Sequence, residues 1–268
     1  PHPLKVYSIM PMFRYEQPQS GRTRQHHQVE FDIIGDDSDP VFDAQIILTT
    51  YRLAEELKIP KLTVQINSIG CRSCRPIYKK KLADYYKNQD SCKDCKRRLL
   101  INSLRVLDCK NEVCQPIKQN APLIVDGLCS HCHNHFKQVL EYLEVLKLSY
   151  ALNNSLVRGL DYYTRTVFEI VQEGLGVSLG GGGRFDYLVE QLGGRATAAV
   201  GVGIGVERLI GAMKEAGVSV SPKTKPRVFF IQIGALAKKK SLSLIENLRR
   251  ANVEVHESLG KESLKPQL

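Results

Sequence analysis

The sequence has 268 residues, with 38 Lys and Arg against 28 Asp and Glu, a formal net charge of +10 and a pI near 9.2. At 43% hydrophobic and 25% charged residues it has the composition of an ordinary soluble globular chain, and no apolar run approaches the roughly 18 residues of a membrane-spanning helix, so no membrane span is expected. The length suits one large or two medium domains, and the basic balance favours a polyanionic partner, most simply nucleic acid.

Residues 5–16 alternate, with Tyr7, Ile9, Phe13 and Tyr15 on one face and Met10, Met12, Arg14 and Glu16 on the other. Pro18, Gly21, Arg22 and Arg24 then mark a basic turn-forming loop. Residues 25–34 alternate again: His27, Val29, Phe31 and Ile33 form an apolar face, and His26, Gln28, Glu30 and Asp32 a polar one. Together these stretches predict a long antiparallel hairpin with an apolar back and a polar front. A solvated front is the plain reading; the mixture of Arg14, Glu16, Gln28 and Asp32 suits a ligand floor. Asp39 and Pro40 are a cap and a first position for a helix continued by Phe42, Ile46, Thr50, Leu53 and Leu57. Residues 62–66 read as a strand.

The composition changes over 68–147, which is rich in Lys, Cys and Tyr, helical in pattern, and reads as an inserted module. It contains Cys71-x2-Cys74, Cys92-x2-Cys95, Cys109-x4-Cys114 and Cys129-x2-Cys132, with basic runs at 79–81 and 93–98. Close cysteine pairs suit two tetrahedral Zn²⁺ sites of four thiolates better than secreted disulfides, and point to the cytoplasm. His131, His133 or His135 could replace a thiol. Spacing leaves open which pairs share an ion, and eight reduced thiols without metal remain the alternative.

Strand-rich sequence resumes over 148–180. Within it, Arg158, Gly159, Asp161, Tyr162 and Tyr163 place a cation, a carboxylate and two phenols within six residues. Such a set is poor core material and suits a pocket for a polar ligand and an anion. Gly180 to Gly183 lead into Arg184 and a short helix; residues 196–205 predict a small-residue strand. Val206, Leu209, Ile210 and Met213 then mark a helix stripe, with Glu207 and Arg208 in its first turn. Residues 217–226 read as a linker, and 227–268 as the β-α-β start of a separate α/β domain.

If Arg14, Arg158 and Arg208 converge, they form a polyphosphate site, since guanidinium matches phosphate geometry and stays charged. Taken singly, each is more simply a surface ion pair. Neither glycine cluster is a standard nucleotide motif. The run at 180–183 lacks the Gly-Lys-Ser/Thr of a P-loop, and Gly201-x-Gly203-x-Gly205 has the wrong spacing for a dinucleotide fingerprint.

Four segments carry a resemblance. Phe13-Arg14-Tyr15-Glu16, with the following loop and Gln25-His26-His27-Gln28, resembles motif 2 of class II aminoacyl-tRNA synthetases, and Gly203-Ile204-Gly205-Val206-Glu207-Arg208 resembles motif 3. Arg158-Gly159-Leu160-Asp161-Tyr162-Tyr163 and Gly181-Gly182-Gly183-Arg184-Phe185-Asp186 are similar to two signatures of the histidyl-tRNA synthetase family. The resemblance implies an α+β fold with a class II synthetase-type mixed, mainly antiparallel sheet and flanking helices. It divides the chain into catalytic core (1–67 and 148–216), Cys-rich insertion (68–147), linker (217–226) and partial anticodon-binding domain (227–268).

It further implies activation of L-histidine by ATP with Mg²⁺, transfer to tRNA-His, and a cytoplasmic homodimer. Arg14, Arg158 and Arg208 are then the catalytic cations; Arg14, Glu16, His26, Gly205 and Arg208 contact ATP; Gln28, Asp32, Arg158, Tyr162 and Tyr163 hold histidine. His26 stands where the family commonly has an aromatic residue on adenine, and Tyr187 where it usually has glycine. Motif 1 and a Pro-Glu-Gly-Thr histidine-binding segment would precede Pro1, so the chain reads as truncated at both ends. The relatives' insertion touches the tRNA acceptor arm, which assigns that expectation to the lysines here. The rivals are a non-catalytic paralogue, like the ATP phosphoribosyltransferase regulatory subunit, and a zinc-dependent nucleic-acid-binding protein.

Overall fold

The computed structural model describes residues 3–15, 23–36, 38–174, 178–219 and 228–268. Glu16 and residues 220–226 of the expected linker lie outside the described residues. The chain falls into two compact units, Pro1–Val218 and Ser219–Leu268.

The larger unit is built on seven strands: β1 (Leu4–Phe13), β2 (Gln25–Asp36), β3 (Leu62–Ser68), β4 (Tyr150–Leu152), β5 (Thr164–Gln172), β6 (Ser178–Arg184) and β7 (Ala198–Gly205). Their order in the sheet is β1-β2-β7-β6-β5-β3-β4. Every neighbouring pair is antiparallel except β3 and β4, so the sheet is mixed and mainly antiparallel, as expected. The four-glycine run is part of β6 itself, and a short helix follows. Glycine is tolerated there because neighbouring strands press against it: a Cβ on Gly182 would meet the Gly201 carbonyl at 2.0 Å.

Helix α1 (Pro40–Glu56) starts as its sequence predicts, with the Asp39 side chain accepting from the Val41 amide at 2.8 Å and Pro40 in the first turn. Between β3 and β4 lie α2 (Cys74–Lys87), α3 (Lys93–Ile101), α4 (Gln115–Gln119) and α5 (Ser130–Val145), joined by short 3₁₀ turns. Helices α1 and α5 pack on one face of the sheet. Ile46 and Ile47 of α1 and Val139 and Leu143 of α5 cluster there with Ile33, Val64, Ile66, Phe168, Ile170, Val202 and Ile204 from the strands. Each such fully buried aliphatic side chain contributes roughly 1.5–3 kcal/mol.

A charged group sits inside this core. Asp43 and Arg184 are both wholly buried and paired at 2.5 Å; His135 adds a 3.2 Å contact to Asp43, and Asp186 a 3.0 Å contact to Arg184. Burial pushes the Asp43 carboxyl up, but the Arg184 charge and the His135 hydrogen bond outweigh it and hold it below its ordinary value. Arg184, which the sequence places beside a glycine run, is therefore a structural ion. His135 is committed to Asp43 and is not a thiol substitute.

A second cluster holds the inserted helices together: Tyr78, Leu82, Tyr86, Leu104, Val106, Leu107 and Ile124, with Cys95, Cys109 and Cys114. It extends to Leu156, Tyr163 and Val167. The expected apolar back of the hairpin is only half covered. On β1, Tyr7, Ile9 and Phe13 are exposed, and His27, predicted on the apolar side, is exposed and bonded to Glu207. Short helix α6 (Leu188–Gln191) follows β6, and α7 (Val206–Glu215) follows β7.

The smaller unit is one β-α-β element. Strands β8 (Val228–Phe230) and β9 (Val255–Glu257) pair in parallel, joined by α8 (Ala235–Arg250), whose Ile245 is buried. Gln232 and Gln267 tie its end by reciprocal bonds between side chain and backbone, 2.9 and 2.7 Å.

Candidate active site

On β2 the alternation sends Val29, Phe31 and Ile33 into the helix-covered core and leaves Gln28, Glu30 and Asp32 on the opposite face. On β7, Val200, Val202 and Ile204 take the core side, which leaves Gly201, Gly203 and Gly205 beside the polar residues of β2. The register aligns Ser8, Glu30, Gly203, Gly181 and Glu169 in one row across five strands. Two carboxylates thus flank two glycines.

The polar side chains lean over these glycines. A Cβ on Gly203 would lie 2.4 Å from Gln28 Nε2, one on Gly201 1.9 Å from Asp32 Oδ1, and one on Gly181 2.4 Å from an Arg158 nitrogen. The result is a shallow floor without side chains, walled by Gln28, Glu30 and Asp32 on one side and by Arg158 and Glu169 on the other. Sequence reading put Glu30 on the polar face without a role and passed over Glu169, because only strand register shows that they share a row.

Arg158 pairs with Glu169 at 2.5 Å, donates to the Gly181 carbonyl at 3.2 Å, and lies 5.7 Å from the Tyr163 ring centre, within cation–π range. Tyr162 and Tyr163 pack at 4.6 Å, and Tyr162 meets Phe185 edge-on at 6.0 Å. Burial and the Tyr163 neighbour push the Tyr162 phenol up. Burial and the negative charge of Glu30 push Asp32 up to about 6.

Further along β2 the polar contacts continue. Gln28 donates to Glu30 at 2.6 Å, His26 Nε2 lies 3.4 Å from Gln28 and 3.0 Å from an Arg14 nitrogen. Guanidinium only donates and the Gln28 amide oxygen only accepts, so Nε2 serves one of these two neighbours or the other according to the ring tautomer. The His26 Nδ1 is buried with no hydrogen-bond partner among the described residues. Arg208 reaches from α7 to the Ser178 carbonyl at 2.7 Å and runs along Gly205. Arg14, Arg158 and Arg208 thus border one floor from three segments, each already holding a protein partner. Glu207, between β7 and Arg208, binds the His27 amide and ring at 2.9 Å. Glu16 lies outside the described residues.

The eight cysteines form two groups of four: Cys71, Cys74, Cys129 and Cys132; and Cys92, Cys95, Cys109 and Cys114. Within each group all Sγ atoms lie within 4.8 Å of one another. A tetrahedral ion with Zn–S bonds near 2.3 Å separates its sulfurs by about 3.8 Å. The Cys71–Cys74, Cys71–Cys129 and Cys92–Cys109 separations are 3.6, 3.9 and 3.8 Å. Burial pushes Cys71 up, but the amides of Cys74 and Ser73 outweigh it and hold the thiol low; the Cys95 amide does the same for Cys92. Each group could hold a metal ion, and neither needs a histidine.

Known proteins resemble this chain over nearly its whole length. A family model described as histidyl-tRNA synthetase matches residues 81–209. A histidine–tRNA ligase of Dehalococcoides mccartyi is 44% identical over 99% of this chain and 64% of its own length. One from Thermodesulfovibrio yellowstonii is 45% identical over 100% and 64%. The crystal structure of apo Staphylococcus aureus histidyl-tRNA synthetase superposes with a TM-score of 0.75 at 28% identity, covering all of this chain and 65% of that one. The chain therefore spans just under two thirds of the length of the relatives it matches. By sequence over nearly its whole length it is similar to histidine–tRNA ligases, and its fold is the class II catalytic fold of histidyl-tRNA synthetase.

Proposed function

We propose that this chain carries the amino-acid-activating site of a histidine–tRNA ligase. The observation that carries the reading is the floor on which Glu30, Gly203, Gly181 and Glu169 form one row with Arg158 across it. In this reading the histidine carboxylate oxygen attacks the α-phosphorus of ATP, the bond to the bridging oxygen breaks, and pyrophosphate leaves with that electron pair. Arg14, Arg158 and Arg208 offset the charge that develops on the phosphates. Gln28 and the neighbouring carboxylates hold the amino group. Asp32 accepts from one imidazole N–H, and Tyr163, with Tyr162 beside it, serves the other nitrogen. His26 offers its ring to the adenine side, Gly205 leaves room for the nucleotide, and Glu16 is assigned to adenine by resemblance alone. Mg²⁺ would enter with ATP and supply charge neutralisation on its phosphates.

The histidyl group then passes to the 3′ end of tRNA-His, whose acceptor arm meets the basic insertion. Structural Zn²⁺ in both cysteine groups, a homodimer, a cytoplasmic location, and the domain limits 1–67, 68–147, 148–216, 217–226 and 227–268 complete the reading.

The test is ATP–pyrophosphate exchange by the intact protein with each amino acid in turn. Exchange with histidine alone is expected. A folded protein that catalyses none overturns the ligase reading and favours the regulatory-subunit-like paralogue.

A further inference from the structure

The two cysteine groups differ in what they fasten. Cys92, Cys95, Cys109 and Cys114 all lie inside the insertion. Cys71 and Cys74 stand where the chain leaves β3, and Cys129 and Cys132 where it returns through α5, so this group closes the insertion at its root. Two helices begin on it. Helix α2 starts at Cys74 and α5 just after Cys129, and neither has a side-chain cap on its first amides. The Cys129 amide points at Cys74 Sγ at 3.1 Å. Gly70 takes φ +67° to turn the chain into this group, and a Cβ there would strike the Cys74 Cβ at 2.7 Å.

One residue past Cys74, Arg75 turns towards the candidate active site. Its guanidinium donates to the Asp161 carbonyl at 3.3 Å and, more closely, to the Tyr163 carbonyl. The residues before Cys71 hold the other side of the same loop. Ile69 donates to the Arg165 carbonyl at 2.8 Å, and the Gly70 carbonyl accepts from the Arg165 amide at 2.9 Å and the Thr164 hydroxyl at 3.2 Å. Both flanks of Tyr163 are thus tied to residues adjacent to the root cysteines.

We propose that Cys71, Cys74, Cys129 and Cys132 bind one structural Zn²⁺ that anchors the first turn of α2 and thereby holds Arg75 on the 161–163 loop, making this ion a determinant of histidine binding. The ion touches no substrate, and Arg75 is a positioning residue. The proposal rests on the ligase reading only for the identity of the ligand. Loss of the ion removes the bond that joins the starts of α2 and α5, and the loop that carries Tyr162 and Tyr163 loosens with Arg75. The group formed by Cys92, Cys95, Cys109 and Cys114 connects to the same loop through Asn102 and the Asp161 side chain.

The test uses the intact protein and its Cys129→Ser, Cys129→His, Arg75→Met and Cys129→Ser/Arg75→Met forms. Metal analysis should find two Zn²⁺ per chain in the parent, one in Cys129→Ser, and two in Arg75→Met and Cys129→His. Amide hydrogen exchange in the peptide 156–164 should quicken by about tenfold or more in both Cys129→Ser and Arg75→Met, with no further rise in the double form, and Cys129→His should restore protection. The KM for histidine in pyrophosphate exchange should rise by a similar factor while the KM for ATP stays within about twofold.

Parental exchange at 156–164 in Arg75→Met overturns the proposal, as does loss of an ion from Cys129→Ser without any effect on that peptide. So does an unchanged metal count in Cys129→Ser. Should Cys129→Ser fail to fold, Arg75→Met, which keeps all eight thiols, still decides. A parent without histidine-dependent exchange would sink the ligase reading, while metal content and amide exchange would still judge the clasp.

Discussion

In the core between the sheet and its helices, Ile47, Val64, Ile66, Phe168 and Ile170 are wholly buried and come from one long helix and two adjacent strands. In the core of the insertion, Tyr78, Leu82, Tyr86 and Val106 share the space with Cys95, Cys109 and Cys114 and come from helices of 14 and 9 residues and 3₁₀ turns. Long elements present continuous apolar faces and hold by burial. Helices this short are marginal alone, and a small module with a thin core needs a staple. The two groups of four cysteines, each able to hold a metal ion, are the staple this module offers. The first core, in contrast, has apolar area to spare and encloses the Asp43–Arg184 ion pair.

Metal removal should break this contrast open most visibly. A strong chelator applied to the intact protein should abolish amide protection over 74–119 and leave β2 and β7 protected, because thiolate–zinc binding free energy is folding free energy, about 10 kcal/mol or more for small zinc domains. Hydrogen exchange read by mass spectrometry checks it; equal loss in both regions would mean one cooperative core. Next is Asp43→Ala, which leaves the Arg184 guanidinium buried and uncompensated and should cost about 3–5 kcal/mol in urea unfolding. A cost under about 1 kcal/mol would show that water reaches this pair. The sign with pH is definite: Asp43 is held low in the folded state, so its contribution is present above the ordinary carboxylate range and is lost as pH falls through its lowered folded value.

Asp32 behaves oppositely. Its folded value of about 6 lies above the ordinary one, so the native state prefers the protonated form and this contribution is lost as pH rises from about 4 to 6. Asp32→Asn should therefore stabilise the protein by about 1 kcal/mol at pH 8, after allowance for solvent screening, and not at all at pH 4. Thermal melts at both pH values measure this, and histidine binding should weaken in the same variant. Smallest is Tyr86→Phe. The Tyr86 hydroxyl is buried without a partner among the described residues, so its removal should change stability by no more than about 0.5 kcal/mol, or raise it. A clear loss would show that the hydroxyl has a partner, such as ordered water.

The legible parts of the chain were those with a strong local period or cap. Alternation in β2 separates Asp32 from Ile33, and Asp39-Pro40 marks the start of α1 to the residue. Grouping of the cysteines was not legible, because spacing says nothing of which pairs meet when the chain leaves β3 and returns through α5. The Asp43–Arg184 pair was hidden for a related reason: its members lie 141 positions apart, and Arg184 beside glycines reads as a ligand contact until the sheet buries it. Arg75 lies outside the basic runs at 79–81 and 93–98 and carries no motif of its own. Its meaning depends on a turn at Gly70 that brings it beneath Tyr163. The apolar face of β1 was readable, but its exposure was not, since alternation reports which residues share a side and not what covers them.

The row of glycines under the candidate ligand has a consequence for sequence tolerance. Gly181, Gly201 and Gly203 sit in strands, where loss of a glycine ordinarily improves a sheet, yet here the added methyl of alanine would strike Arg158, Asp32 or Gln28. In a full mutational scan these three positions should therefore score like reactive groups although they have no side chain to react. The depth of the trough is set by absent atoms, so a single methyl at Gly203 acts as a built-in competitive occupant, displacing the Gln28 amide from the place where an amino group would lie.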